Sequence, residues 1–379
     1  MMSACMISVV VPLYYGNRYV KKIIAQIEKA QGCLECEMEL VFVNDSPEAP
    51  IESECHSDVL KILCYEMKEH KGIHGARVEG LKRCHGEFVL FLDQDDEISE
   101  RYFVSQLEKM EGADAVLCRS MENGRLYYPA SLDLSSHITF ERMISCGNSI
   151  CSPGQVLLRH DAIPHVWLEN IMCNNGTDDW MLWLAFLKEG HKFHFNDEIL
   201  FEHKLHGDNA SFNDEEMSKS ESEINRILYK EGIINDGESN QLVQSIKNRD
   251  LHRIHIGKNY EKKFRLMLSL MKLCCDDSMG KKFCEKFSWK KASIYGAGEM
   301  GEALYVYLNK VGVLTECFID ANVKNTESIV PVVTLAEFSG NADCVLVSLV
   351  DNVEMVIQQI ETVFTGKVIS VQNFISELI

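Results

Sequence analysis

Residues Glu87–Glu97 read EFVLFLDQDDE: the apolar run Phe88–Leu92 stops at Asp93, Asp95 and Asp96. A short run rich in Val, Phe and Leu is the pattern of a strand buried on both faces. Carboxylates this close repel one another, and such a cluster persists most easily where a cation neutralises it. Mg²⁺ and Mn²⁺ take oxygen ligands, and Mg²⁺ commonly bridges one or two carboxylates to substrate phosphates. A solvated acidic turn after a strand is the alternative for an isolated D-x-D-D, so its meaning depends on the surrounding sequence.

Upstream, strand-like and helix-like runs alternate. Ile7–Leu13 is a strand; Tyr19–Lys29 carries Val20, Ile23, Ile24 and Ile27 at helical spacing. Glu39–Val43 is a second buried strand, closed by the turn residues Asn44-Asp45-Ser46-Pro47, and Ile73–Cys84 reads as a helix. This βαβ rhythm predicts a mostly parallel α/β sheet with ligands at the carboxyl ends of its strands. Asp45 and the Asp93 cluster both fall at such ends, so two acidic groups distant in sequence are expected in one crevice.

The bulk properties exclude several classes. The 379 residues suffice for two or three domains, and 46% hydrophobic with 25% charged residues is ordinary for a globular protein. A formal net charge of −19 argues against nucleic acid as a partner. The opening MMSACMISVVVPLYY lacks a basic n-region and is interrupted by Pro12, so no signal peptide is expected. No stretch approaches the roughly 20 apolar residues of a spanning helix, which leaves at most peripheral membrane association. The 15 scattered cysteines fit a reduced cytoplasmic setting, and Cys33-x-x-Cys36 has no second pair to complete a zinc site.

Residues 1–215 resemble the family 2 glycosyltransferases of the GT-A fold, through six segments in order: ISVVVPLYYGNRYV, VFVNDSP, KGIHGARVEGLKRCHGEFVLFLDQDD, PGQVLLRHDAI, GTDDWMLWLAFLKEG and HKLHGDNAS. The resemblance implies that Pro12, Leu13 and Tyr14 lie near a nucleotide base, that Asp45 contacts base or ribose, and that Arg77 points toward the nucleotide. Asp93 and Asp95 become the D-x-D pair, with Asp95 or Asp96 the closer metal ligand. His206 is placed near metal and diphosphate, and Asp179 becomes the catalytic base. The sequence also departs from the family pattern. Val78 follows the arginine where asparagine is usual, Asp178 replaces a glutamate, His203-Lys204 replaces tyrosine-arginine, and the processive Q-x-x-R-W motif is absent.

The implied chemistry agrees with the residues. A metal at the Asp95 cluster would stabilise a leaving diphosphate as a Lewis acid. A carboxylate raised toward neutrality by burial and a like-charged neighbour suits general-base work, and Asp178-Asp179 beside Trp180 and Trp183 is such a pair. Capping of the helix Trp180–Lys188 is the simpler role for the same acids. The expected reaction is inverting transfer from a nucleoside-diphosphate sugar, UDP-sugar favoured, to a glycan or lipid-linked acceptor in bacterial surface glycan synthesis. Mg²⁺ or Mn²⁺ would assist, and the expected setting is the cytoplasm, with the inner face of the membrane as the alternative. A nucleotide-sugar-binding protein without catalysis is the alternative, and homo-oligomerisation stays open.

From 216 to 288 the periodicity is helical with charged faces, a connector. From 289 to 379 a second βαβ pattern begins. Gly296-Ala297-Gly298-Glu299-Met300-Gly301 follows an apolar strand and opens a helix, and Asp320 ends the next strand, ECFID. This G-x-G-x-x-G with a distal acid predicts a small Rossmann-like unit for a nucleotide, NAD-like or a sugar nucleotide. At about 90 residues it is half a dinucleotide fold. A docking module, or a second activity that modifies the sugar, are its other readings.

Overall fold

The computed structural model describes residues 6–34, 36–51, 55–205, 213–276, 278–321 and 330–378. The chain forms two compact units, Met1–Leu251 and His252–Ile379.

The first unit is built on nine strands: β1 (Met6–Leu13), β2 (Glu37–Asn44), β3 (Lys61–Glu66), β4 (Phe88–Phe91), β5 (Glu97–Ile98), β6 (Ala115–Glu122), β7 (Arg125–Leu126), β8 (Val156–Arg159) and β9 (Phe193–His203). They lie in the order β3-β2-β1-β4-β8-β6-β9-β5, with β7 paired to β6. β3, β2, β1 and β4 are parallel, as the alternating sequence predicts. Beyond β4 the sheet is mixed: β8 runs antiparallel to both β4 and β6, while β9 is parallel to β6. Hydrophobic pattern reports burial and not strand direction, so this reversal has no signature in the sequence.

Central strand β1 is buried from Ile7 to Leu13 and separates two apolar layers. On one face, α1 (Asn17–Gln31) sets Val20, Ile23, Ile24 and Ile27 among Val9, Val11, Leu40 and Phe42. On the other, Val10, Val89 and Phe91 meet Trp167, Trp180 and Trp183. Helix α2 (Gly72–Leu81) lies against this second face, and it packs closely because Gly80 has no side chain: a Cβ there would stand 2.4 Å from the Val10 Cγ1. Three shorter helices follow: α3 (Tyr102–Glu108), α4 (Phe140–Cys146) and α5 (His165–Glu169). After them come α6 (Asp178–Lys188), α7 (Asp214–Lys230) and the 40-residue α8 (Asp236–Cys275). Ile224, Ile227 and Leu228 of α7 and Leu242 and Ile246 of α8 belong to the core of the first unit.

In the second unit, α9 (Met279–Lys286) leads into β10 (Lys291–Tyr295), α10 (Glu299–Lys310), β11 (Leu314–Ile319), β12 (Val332–Val333), β13 (Cys344–Val347), α11 (Val353–Glu361), β14 (Lys367–Ser370) and α12 (Val371–Leu378). The five strands form a separate, fully parallel sheet in the order β12-β11-β10-β13-β14. Ile294, Leu304, Leu308, Phe318, Leu346 and Phe374 fill one face. Strand order reverses at β10, the switch point where a doubly wound sheet opens a crevice. Among the described residues, no helix is long and apolar enough to cross a membrane.

Candidate functional site

A cleft of about 720 Å³ opens at the carboxyl ends of β1, β2 and β4. Pro12, Tyr14, Asp45, Arg77, Asp93, Asp95 and Asp179, seven of the residues singled out in the sequence, line it together. The loop after β1 is tied to its neighbours on both sides. Asp45 N–H donates to the Leu13 carbonyl at 2.8 Å, and Tyr15 N–H donates to Ser46 Oγ at 2.8 Å. The Gln94 side chain clamps the backbone of Tyr14, accepting from its N–H at 3.0 Å and donating to its carbonyl at 3.2 Å. A Cβ on Gly16 would lie 2.3 Å from Gln94 Oε1, so this clamp requires glycine there.

Asp45 is buried, with Oδ1 accepting from Lys71 N–H at 2.7 Å and Oδ2 2.8 Å from His70 Nδ1. Burial raises its pKa, partly offset by the Lys71 amide and by His70. The Tyr14 ring, half exposed, lies 5.0 Å from the His70 ring. Two flat rings and a carboxylate at one end of the cleft suit a planar base and a ribose hydroxyl.

Arg77 is the hub of the cleft floor. Its guanidinium, 3% exposed, reaches Asp178 at 2.9 Å and Asp93 at 2.5 Å, joining α2, the end of β4 and the start of α6. Burial opposes the charge, but Asp178, Asp93 and Asp179 outweigh it and hold the arginine protonated. Asp178 is also fixed from behind, where Trp167 Nε1–H donates to its carbonyl at 2.9 Å. The neighbouring Asp179 faces the cleft. Its Oδ1 accepts from Trp180 N–H at 2.8 Å and its Oδ2 from Asn148 Nδ2 at 2.8 Å. Burial, then repulsion from Asp178, push the Asp179 carboxyl up to about 7 against the pull of Arg77. The two acids therefore have opposite situations: one is neutralised by arginine, the other sits near its titration point at neutral pH.

The D-x-D-D segment divides in the same way. Asp93 and Asp95 face the cleft, whereas Asp96, 1% exposed, is turned inward. Its oxygens accept from Ser152 Oγ at 3.0 Å, Lys204 N–H at 3.1 Å and His203 Nδ1 at 2.9 Å. Burial works against a charged His203, but Asp96 prevails and raises it to about 9. Asp93 and Asp95 offer hard oxygen donors on the cleft wall, a partial ligand set that fits Mg²⁺ or Mn²⁺ sharing a diphosphate. Among the described residues, no three His, Cys, Asp or Glu side chains converge on one metal position. His206 lies outside the described residues.

Strand order, parallel half-sheet and acidic cleft together define a GT-A-type glycosyltransferase domain. Residues 8–167 match the model of Glycosyl transferase family 2, and the chain carries a domain of that family. A curated relative, the minor teichoic acid biosynthesis protein GgaB of Bacillus subtilis, is 32% identical over 103 residues, 26% of this chain and 11% of its own length. The chain thus spans about a tenth of that relative. Among solved structures, S. aureus TarS 1-349 aligns with TM-score 0.48 and 15% identity, covering 81% of this chain and 89% of TarS 1-349. The same fragment in complex with UDP-GlcNAc aligns at 0.46 and 18%, over 64% and 71%. The mannosyltransferase PcManGT from Pyrobaculum calidifontis, in complex with GDP-Man and Mn²⁺, aligns at 0.43 and 13%, over 64% and 69%. All three scores lie below 0.5, and the fold assignment rests on the strand order and the family match.

In the second unit, the sequence fingerprint falls at the switch point of the parallel sheet. Gly296 adopts φ +97°, a backbone conformation reserved for glycine, and a Cβ on Gly301 would stand 2.0 Å from the Gly296 carbonyl oxygen, so close packing requires glycine there. Gly298 is the N-cap of α10 and has open space where a Cβ would be, which fits a group approaching the turn. One oxygen of Asp320 accepts from Ala297 N–H at 2.9 Å. Lys263 Nζ stands 2.9 Å from Glu299 at the same helix end.

Several cleft residues escaped the sequence reading. His70, Gln94 and Ser152 line the cleft through loop geometry, and no spacing rule connects Asn148, which reaches the cleft only through its bond to Asp179, to an acid 31 positions away. His203 was visible only as a departure from the family pattern.

Proposed function

We propose that the first unit transfers a sugar from a nucleoside-diphosphate sugar to an acceptor hydroxyl, with inversion at the anomeric carbon. The observation that carries this reading is the meeting of Asp45, Asp93, Asp95 and a near-neutral Asp179 in one cleft. In this reading the base and ribose lie at Pro12, Tyr14 and Asp45, and the diphosphate lies toward Asp93, Asp95 and Arg77. A divalent cation held by Asp95, with Asp93 beside it, would supply Lewis-acid stabilisation of the leaving diphosphate.

Asp179 takes the acceptor proton as the acceptor oxygen bonds to the anomeric carbon and the bond to the diphosphate breaks. A single displacement from the face opposite the leaving group inverts that carbon. A general base at the operating pH contributes typically about 10²–10⁴-fold. Arg77 neutralises Asp178 so that the pair can carry one free negative charge without expelling it.

The GgaB similarity supports cell-wall glycan synthesis as the setting, and a UDP-sugar is the favoured donor. For the second unit we propose a phosphate-bearing ligand, a nucleotide or sugar nucleotide, at the Gly296–Gly301 turn, supported by the open side of Gly298.

A melting-temperature panel of nucleotide sugars, with and without Mn²⁺, tests the donor reading. UDP-sugars are expected to raise the melting temperature, more so with Mn²⁺, and Asp45→Ala to abolish the rise. No response to any nucleotide sugar would remove the reading.

A further inference from the structure

Asp179 would be poorly defined if only its own helix held it, because one backbone amide leaves the carboxylate free to rotate about its Cβ–Cγ bond. Its second tether comes from another part of the fold. Asn148 follows α4 by two residues and donates from Nδ2 to Asp179 Oδ2 at 2.8 Å. The orientation of that amide is itself fixed, since Asn148 Oδ1 accepts from Ile150 N–H at 3.0 Å. An acceptor-only oxygen pinned to a backbone donor leaves the NH₂ end as the group facing the acid.

The segment carrying Asn148 is braced on both sides. Gly147 turns the chain at φ +102°, with its N–H bonded to the Met143 carbonyl at 3.1 Å. A Cβ at Gly147 would stand 3.0 Å from an Arg249 nitrogen, and Arg249 is held in turn by Ser245 at 2.7 Å and Glu221 at 3.2 Å. On the far side, Tyr128 Oη–H donates to the Ser149 carbonyl at 3.0 Å, and Ile150 is buried.

We propose that Asn148 is a positioning residue for Asp179, fixing Oδ2 so that the carboxylate keeps one orientation toward the acceptor hydroxyl. The inference rests on the reading of Asp179 as the base. It also has a consequence that an inert surface asparagine would lack. A donor to the ionised carboxylate favours that form, against the burial and the Asp178 charge that oppose it. The charged and titratable groups around Asp179 are Asp178 on α6, Arg77 on α2 and Asp93 after β4, with Tyr127 and Cys151 also feeling its charge. Beside these groups, Asn148 is a neutral side-chain donor that, with the Trp180 amide, steadies the acid without neutralising it.

The test is a carbon NMR titration of full-length protein with labelled aspartate carboxyls, in which the Asp179 signal is the one lost in Asp179→Asn. Turnover is read alongside as nucleoside diphosphate released from the nucleotide sugar that stabilises the protein most. Asn148→Ala is expected to raise the Asp179 midpoint by about one pH unit, the size of a hydrogen bond to a charged group. Turnover should fall tenfold or more with donor KM unchanged, and Asn148→Gln should recover part of it. Asn148→Asp keeps the shape if the alanine variant folds poorly, and its extra charge should raise the midpoint further. An Asp179 midpoint and turnover unchanged in Asn148→Ala, or turnover unchanged in Asn148→Asp, would overturn the proposal. Full turnover in Asp179→Asn would instead remove the base assignment, and the titration would still report whether Asn148 holds the carboxylate.

Discussion

Arg77 Nη1 lies 2.9 Å from both carboxylate oxygens of Asp178, and both side chains are almost wholly excluded from solvent. This pair connects α2 to α6 and places Asp178 where it acts on its neighbour. Removing one member of a buried ion pair leaves the other charge uncompensated, at a cost of about 3–5 kcal/mol. Arg77→Met is therefore expected to lower the unfolding free energy by about that amount, read from urea unfolding. The double variant Arg77→Met, Asp178→Leu should recover much of it, and simple additivity of the two losses would contradict the coupling.

A second expectation concerns pH. Asp179 must be ionised to accept a proton, and its pKa is raised to about 7, so turnover should climb with pH through that value. Asp178→Asn removes the adjacent negative charge and should move this rise to lower pH. Stability has the opposite sign. A carboxyl whose pKa is raised by folding favours the folded state most below its unfolded value near 4, and that contribution is lost as pH rises toward 7. Asp179→Asn should accordingly be more stable than the parent at pH 8, by on the order of 2–4 kcal/mol, and equal to it at pH 4.

Metal dependence separates the acids of the D-x-D-D segment. Asp95 faces the cleft, and Asp95→Ala should weaken donor binding tenfold or more in the presence of Mn²⁺. Asp96→Ala breaks bonds to Ser152, His203 and Lys204, and should destabilise the fold by about 1–3 kcal/mol with or without metal. Calorimetry and thermal melts on the two variants would distinguish the roles.

Gly72, at φ +77°, starts α2, and a Cβ there would lie 2.3 Å from Asn175 Oδ1. Gly72→Ala should cost about 1–3 kcal/mol from the backbone conformation alone. It should also weaken donor binding, because the adjacent Lys71 amide holds Asp45. Unfolding and donor-binding measurements on one preparation would check both effects.

Much of the first unit was legible because its signals are local. Phe88–Leu92 ending in aspartates is a buried strand reaching a crevice, and Val20, Ile23, Ile24 and Ile27 mark one face of α1. Position along a parallel strand also brought Asp45 and Asp93 to the same cleft. The reversed direction of β8 was not legible, because burial looks the same in either direction. Nor was the inward turn of Asp96, since adjacent acids are chemically alike until a partner such as His203 is placed beside one of them. Asn148 was hidden for the related reason that a loop amide acquires meaning only from what the fold sets against it. In the second unit the fingerprint glycines point to a phosphate, while the fold alone already requires Gly296 for its left-handed backbone and Gly301 for its close approach to the Gly296 carbonyl.

The most direct test of the account is the Asp179→Asn variant, measured for donor affinity and for turnover. Asparagine keeps the shape and can no longer take a proton. Donor affinity should stay within about threefold of the parent while turnover falls about 10²–10⁴-fold. Turnover at the parental rate with intact donor binding would contradict the assignment of Asp179 as the base.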